Sequence, residues 1–172
     1  MKTKIAFLFT ILIIAAIGCQ TQLNPPAAKI GAPVPDVHTI SSDFSRIVVI
    51  RLKNGTDLLE GLQKAVEKEN IKNAVILSGI GSLTDYHVHT VDNRTFPPKN
   101  VFMKDDVPVD LLNVNGYIID GRVHAHITFT TEQKALGGHL EPDTKAFTFA
   151  IITIGVLGEP VCLKRIDDYT WH

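Results

Sequence analysis

One stretch of this chain constrains it more than any other: Gly121 to Pro142, GRVHAHITFTTEQKALGGHLEP. Strand side chains point alternately to two faces. Val123, Ala125, Ile127 and Phe129 therefore share an apolar face, and His124, His126 and Thr128 share the other. A polar turn, Thr131-Glu132-Gln133-Lys134, separates this segment from a second run, Ala135-Leu136-Gly137-Gly138-His139-Leu140.

Two such runs predict a hairpin, and loop length then sets the register. A two-residue loop (Glu132-Gln133) and a four-residue loop (Thr131 to Lys134) give the same pairing, with partner numbers summing to 265. His139 falls opposite His126, with His124 one diagonal step away. Opposed residues on paired strands have Cβ atoms roughly 5 Å apart and diagonal ones about 7–8 Å. Three imidazoles so placed can converge on one ion at about 2.0–2.1 Å. A three-residue loop would put Ile127 opposite His139 and turn His139 to the wrong face. Gly137 and Gly138 allow a bulge or a close backbone approach just before the third histidine. The plain alternative is three unrelated histidines on a solvated sheet face.

The N-terminus carries a different signal. Lys2 and Lys4 precede an apolar run from Ile5 to Ile17, followed by Gly18-Cys19. This has the charged and apolar regions of a secretory signal, and the run is too short for the ~20 residues of a spanning helix. Ala16-Ile17-Gly18-Cys19 resembles a bacterial lipobox, which makes residues 1–18 a signal peptide and Cys19 the lipidation site. A simply cleaved secreted protein is the alternative. Residues 19–43 hold Pro25, Pro26, Pro33 and Pro35 among small polar residues and read as an extended tether. The expected location is the cell envelope, on a lipid bilayer.

Charge narrows the partners. The whole chain has 17 basic and 18 acidic residues, and losing Lys2 and Lys4 with the signal leaves 15 against 18, a net charge near −3. Such a surface offers no general attraction to nucleic acid. Cys162 is the only cysteine besides Cys19. It reads as a small buried apolar residue, with the fold held by packing and not by a disulfide.

Residues 44–166 form the expected domain. Phe44 to Lys53 is β-branched enough for a central strand. A helix follows, with Asp57 and Glu60 at capping-box spacing and an apolar stripe through Leu58, Leu62 and Val66, ending near Asn70. Ala74 to Leu77 reads as a buried strand running into a small-residue turn, Ser78 to Ser82. In Leu83 to Val91, His87 and His89 share a face without an evident third partner, which favours a solvated or pore-facing strand over a second metal site. Asp92 to Asp106 reads as a long irregular connection. Further strands are expected at Val109–Ile119, Ala146–Val156 and Val161–Ile166, with a polar tail over residues 167–172. The class is α+β, with about seven mostly antiparallel strands and one main helix. One helix cannot cover so much apolar sheet, which points to an oligomer.

The ordered motifs Arg51 to Glu60 (RLKNGTDLLE), Leu77 to Leu83 (LSGIGSL), Asn115-Gly116-Tyr117, His124-Ala125-His126-Ile127 and Gly137-Gly138-His139-Leu140 resemble the plant and prokaryote conserved (PPC) domain family. The resemblance implies a curved sheet, one main helix and a homotrimer. In prokaryotic members the matching histidines resemble a zinc triad, which maps onto His124, His126 and His139. Plant relatives bind DNA through an adjoining AT-hook, whose Arg-Gly-Arg-Pro core is absent here, so DNA is not an expected partner. The expected function is a small-molecule binding or sensing module centred on zinc or another divalent transition metal. Glu141 or Thr128 would accept a hydrogen bond from a ligating imidazole. The alternative is a zinc hydrolase, in which the ion lowers the pKa of water toward about 7 and Glu141 acts as base.

Overall fold

The computed structural model describes residues 35–168. The signal peptide, Cys19 and most of the tether lie outside the described residues. Eight strands and one helix follow in the order β1 (Phe44–Lys53), α1 (Leu58–Lys68), β2 (Ala74–Leu83), β3 (Tyr86–Val91), β4 (Asn100–Asp105), β5 (Val109–Ile119), β6 (Arg122–Thr130), β7 (Ala135–Leu140) and β8 (Ala146–Leu157). They form one sheet in the order β1-β8-β2-β5-β6-β7-β3-β4. Every pairing in it is antiparallel. Helix α1 packs on both β1 and β6, although three strands separate them, so the sheet curves around the helix.

The core lies between α1 and the concave face. Leu58, Leu62 and Val66 of the helix are buried against Ile50, Leu52, Ala125, Ile127, Phe129, Ile152 and Ile154. The alternating segment thus buries all four of its apolar side chains, Val123 included. The opposite face is open. A row of paired residues runs along it from Ile47 (β1) through Gly155, Val75 and Tyr117 to His124 (β6). Ile47, Val49, Ile80 and Phe149 are exposed apolar side chains of this kind. Among the described residues, no helix is long and apolar enough to cross a membrane.

Several local expectations are revised. Strand β4 lies inside the segment expected to be irregular: its six residues pair only with β3, at the sheet edge, after an eight-residue loop with two prolines. Strand β2 continues through Ser78–Ser82 instead of turning. The small residues serve close packing, since a Cβ on Gly79 would lie 2.5 Å from Val114. Val161–Ile166 is not a strand but a turn-rich segment, in which Val161 and Leu163 bury against Ile119. Cys162 is half-buried and disulfide-bonded, which corrects the expected free thiol.

Two hairpins position the functional strands. Asp120 and Gly121 both have positive φ (50° and 81°), the backbone of a two-residue primed turn, and they align β5 with β6. Between β6 and β7 the four-residue loop is closed by Thr131 N–H donating to Lys134 O at 2.9 Å. Its pairs, including His126 with His139, all sum to 265 as expected.

Asp57 ties helix, sheet and site together. One carboxylate oxygen accepts from Glu60 N–H at 2.9 Å as the helix cap. The other accepts from Asp143 N–H at 2.7 Å and Thr144 N–H at 3.2 Å, pinning the β7–β8 loop. Losing a cap costs about 1 kcal/mol, and orphaned amides add about as much again. Asp57→Ala is therefore expected to destabilise the domain by about 2 kcal/mol or more in urea unfolding. An unchanged midpoint would refute the clamp.

Candidate metal centre

The sheet brings together more than the hairpin alone. Pairing places Asn115, His126, His139, His89 and Phe102 in one continuous row across β5, β6, β7, β3 and β4. Gly138 makes the third step feasible: a Cβ there would lie 2.5 Å from His89 O, so only glycine lets β7 lie this close to β3. His124 sits beside this row, paired with Tyr117.

Ring nitrogens of His124, His126 and His139 all lie within 4.8 Å of one another. Ring centroids of His139 are 4.9 Å from His124 and 5.1 Å from His126, both near edge-on, and His124 stacks on His126 at 5.5 Å. The sequence-predicted triad is thus assembled in space. His89, set aside on sequence grounds as lacking a partner, is a fourth member, with its ring 4.5 Å from His139.

Protonation favours metal binding. Burial, then His124, His89 and His126 in turn, lower the His139 pKa to about 4. Burial and the charges of His124 and His89 also lower that of His126. Both rings are neutral at physiological pH, the form in which imidazole offers a lone pair. This donor set therefore suits a transition-metal ion.

The carboxylates are not where sequence placed them. Glu141 Oε1 lies 2.5 Å from His89 Nδ1, so it serves His89 and not one of the triad rings. Among the described residues no hydrogen bond joins Thr128 to a triad ring. The acceptor for His124 is Asp167, whose Oδ1 is 2.9 Å from His124 Nδ1 and which also pairs with Arg122. Asp167 is partly buried, which opposes ionisation, but hydrogen bonds from His124 and Arg122 outweigh this and lower its pKa. An ionised Asp167 can only accept, so His124 Nδ1 carries the proton and Nε2 is left to bind a metal. Asp167 belongs to the segment read as a polar tail, and it is carried to His124 by the docking of the preceding residues, with Val161 and Leu163 buried against Ile119.

A cavity of about 500 Å³ opens beside His124 and His126. Val75, Ile76, Tyr117, Ile119 and Ile166 supply its apolar walls, with Asn115 and Asp167 as further polar groups. That volume suits a small molecule.

Residues 40–158 match the family model for the Plants and Prokaryotes Conserved (PCC) domain. Among solved structures, the chain is similar to a metal-containing protein of Archaeoglobus fulgidus, at 20% identity and TM-score 0.62 over 71% of this chain and 86% of that one. It is also similar to a plant- and prokaryote-conserved (PPC) protein of Pyrococcus horikoshii, at 26% identity and TM-score 0.59 over 72% and 87%. A candidate DNA-binding protein of Ralstonia eutropha follows, at 22% identity and TM-score 0.51 over 64% and 77%. A curated relative, the bifunctional protein GlmU of Synechococcus sp., is 24% identical over 132 residues. That match takes in 76% of this chain and only 20% of the relative, so the chain spans about a fifth of the relative's length.

For the metal-free protein, the lowered His139 pKa sets a pH window. The unfolded chain binds a proton near pH 6.5 and the folded ring only near 4, so stability present above 6.5 is lost as pH falls through 4. Long-range ¹H–¹⁵N spectra should show the His139 ring neutral at pH 5.5; titration near 6.5 would contradict its desolvation. Asp167→Ala is expected to weaken metal binding by about 10- to 100-fold by freeing the His124 ring. Titration with a chromophoric chelator competing for the ion measures this.

Proposed function

The chain belongs to the Plants and Prokaryotes Conserved domain family, and from that premise we propose that it is a zinc-binding module. His124, His126 and His139 hold the ion, and a small molecule in the adjoining cavity reaches it. The carrying observation is the convergence of three ring nitrogens, two of them on imidazoles whose pKa is lowered by partial desolvation and by the neighbouring rings. Structural zinc sites close with four protein ligands, whereas three leave a position open. The metal-containing Archaeoglobus protein, which shares this fold, adds support.

Zinc would supply a Lewis-acid point that polarises an oxygen or nitrogen donor on the ligand. The chain's own residues do the rest. Asp167 orients His124, Tyr117 and Ile119 shelter the apolar part of the ligand, and Asn115 offers it a hydrogen bond. Sensing or carriage fits this arrangement. A hydrolytic reading draws support from Glu141, which lies beside the centre and is held by His89. A DNA-binding role has the Ralstonia neighbour in its favour and a net charge of −1 against it.

The protein works as a homotrimer tethered to the cell envelope through a lipid on Cys19. The exposed apolar residues Val49, Ile80 and Phe149 suit burial against other subunits. A lipid thioether on Cys19 would use the only other cysteine sulfur in the chain, so the lipid-anchored form is one in which Cys19 and Cys162 are not joined.

Protein purified without chelators is expected to carry about one zinc per chain by elemental analysis, and His126→Ala protein almost none. A wild-type protein free of transition metals would overturn the reading. Cys19→Ser is expected to move the protein from the membrane to the soluble fraction, and unchanged fractionation would refute the anchor.

A further inference from the structure

His89, His139 and Glu141 form a second group whose donor atoms all lie within 4.8 Å of one another. Two imidazoles and one carboxylate are a different ligand class from three imidazoles. Carboxylate oxygen suits harder divalent ions, and a two-histidine, one-carboxylate face with open positions is characteristic of iron(II) sites. We propose that these three residues are a second metal site, overlapping the first at His139, which takes Fe²⁺ or Mn²⁺ where the three-histidine set takes zinc. It shares His139 with the centre proposed above but stands on its own donor set.

The site is built in advance of any ion. The His89 and Glu141 side chains are 17% and 22% exposed, which limits competition from bulk water. The Phe102 ring lies 5.4 Å from that of His89 and covers one side. Glu141 is held by its backbone, whose N–H donates to His87 O at 3.0 Å. Thr144 Oγ1 donates to the same carbonyl at 3.1 Å. His87 Nδ1 is in turn 2.9 Å from Pro142 O. His89 Nδ1 and Glu141 Oε1 are hydrogen-bonded to each other at 2.5 Å. A divalent ion at about 2.0–2.2 Å from each donor would replace that hydrogen bond and widen the gap to roughly 3 Å.

Sharing His139 has a consequence. A neutral imidazole has a single lone pair, because its other ring nitrogen carries the proton. His139 therefore serves one ion at a time, and the two sites are alternatives. Which one fills depends on the metal offered.

The test uses the full metal-free chain and the variants His89→Ala, Glu141→Gln, His124→Ala and His139→Ala, each checked for native circular dichroism. Mn²⁺ binding is read from loss of the free-ion paramagnetic resonance signal, and zinc binding by chelator competition. Loss of a direct ligand should exceed the effect of a supporting residue. Mn²⁺ affinity is thus expected to fall at least about 100-fold in His89→Ala and Glu141→Gln and to change less than about threefold in His124→Ala. Zinc affinity should show the reverse pattern, His139→Ala should lose both ions, and total metal should stay at one per chain with both supplied. Mn²⁺ binding that follows His124 and ignores Glu141, or no Mn²⁺ binding by the wild type at millimolar ion, would overturn the second site and leave the zinc reading standing. Absence of zinc binding with the Mn²⁺ pattern intact would do the opposite.

Discussion

The register between β6 and β7 governs what this protein can do. Its pairing puts His126 against His139, and shifting it by one residue would send every side chain of β7 to the other face. The burial of Leu140 on β7, and of Val123, Ile127 and Phe129 should β6 turn over instead, opposes such a slip, since each large apolar side chain moved into water costs about 1.5–3 kcal/mol. The core against α1 thus holds the histidines on the open face. Site and core are two sides of the same alternation.

Charge is distributed along the histidine row in a pattern that follows from position. Four imidazoles lie close together and two carboxylates accompany them. Each carboxylate serves an outer ring, Asp167 for His124 and Glu141 for His89. The two rings between them in the row, exposed His126 and half-buried His139, are the ones whose pKa partial desolvation and their neighbours lower. Carboxylates thus sit at the margins, and donor nitrogens of the triad gather between them. Charged rings packed this tightly would repel one another, so the cluster is compatible with neutral rings or with a bound cation, and poorly with four free imidazolium groups.

The open face of the sheet is shared by chemistry and by unpartnered apolar surface. Tyr117 and Val75 lie in one row with His124 at one end and Ile47 at the other. The cavity sits where the row changes from apolar to histidine, and the segment carrying Ile166 and Asp167 folds over it. That segment is anchored by Val161 and Leu163 in a small cluster with Ile119, away from the main core. A short piece of chain without regular structure thereby supplies both a wall of the cavity and the hydrogen-bond acceptor of a ring.

Local pattern was enough for the helix cap at Asp57, for the buried stripe of α1 and for the histidine hairpin, because each depends on residues only a few positions apart. It was not enough for β4, a short edge strand in which Val101, Phe102 and Met103 sit between polar ends and have one neighbour to pair with. Nor did sequence reveal His89 or Asp167. His89 reaches the site only because β3 pairs with β7, some fifty residues further along, and Asp167 only because the last turns dock beside β6. Alternation along a strand is written in neighbouring residues, and so the chain alone determined which face the three histidines share. Which strands lie side by side is decided by packing among distant segments, so tertiary structure alone supplied the fourth histidine, Asp167 and the ring that Glu141 serves.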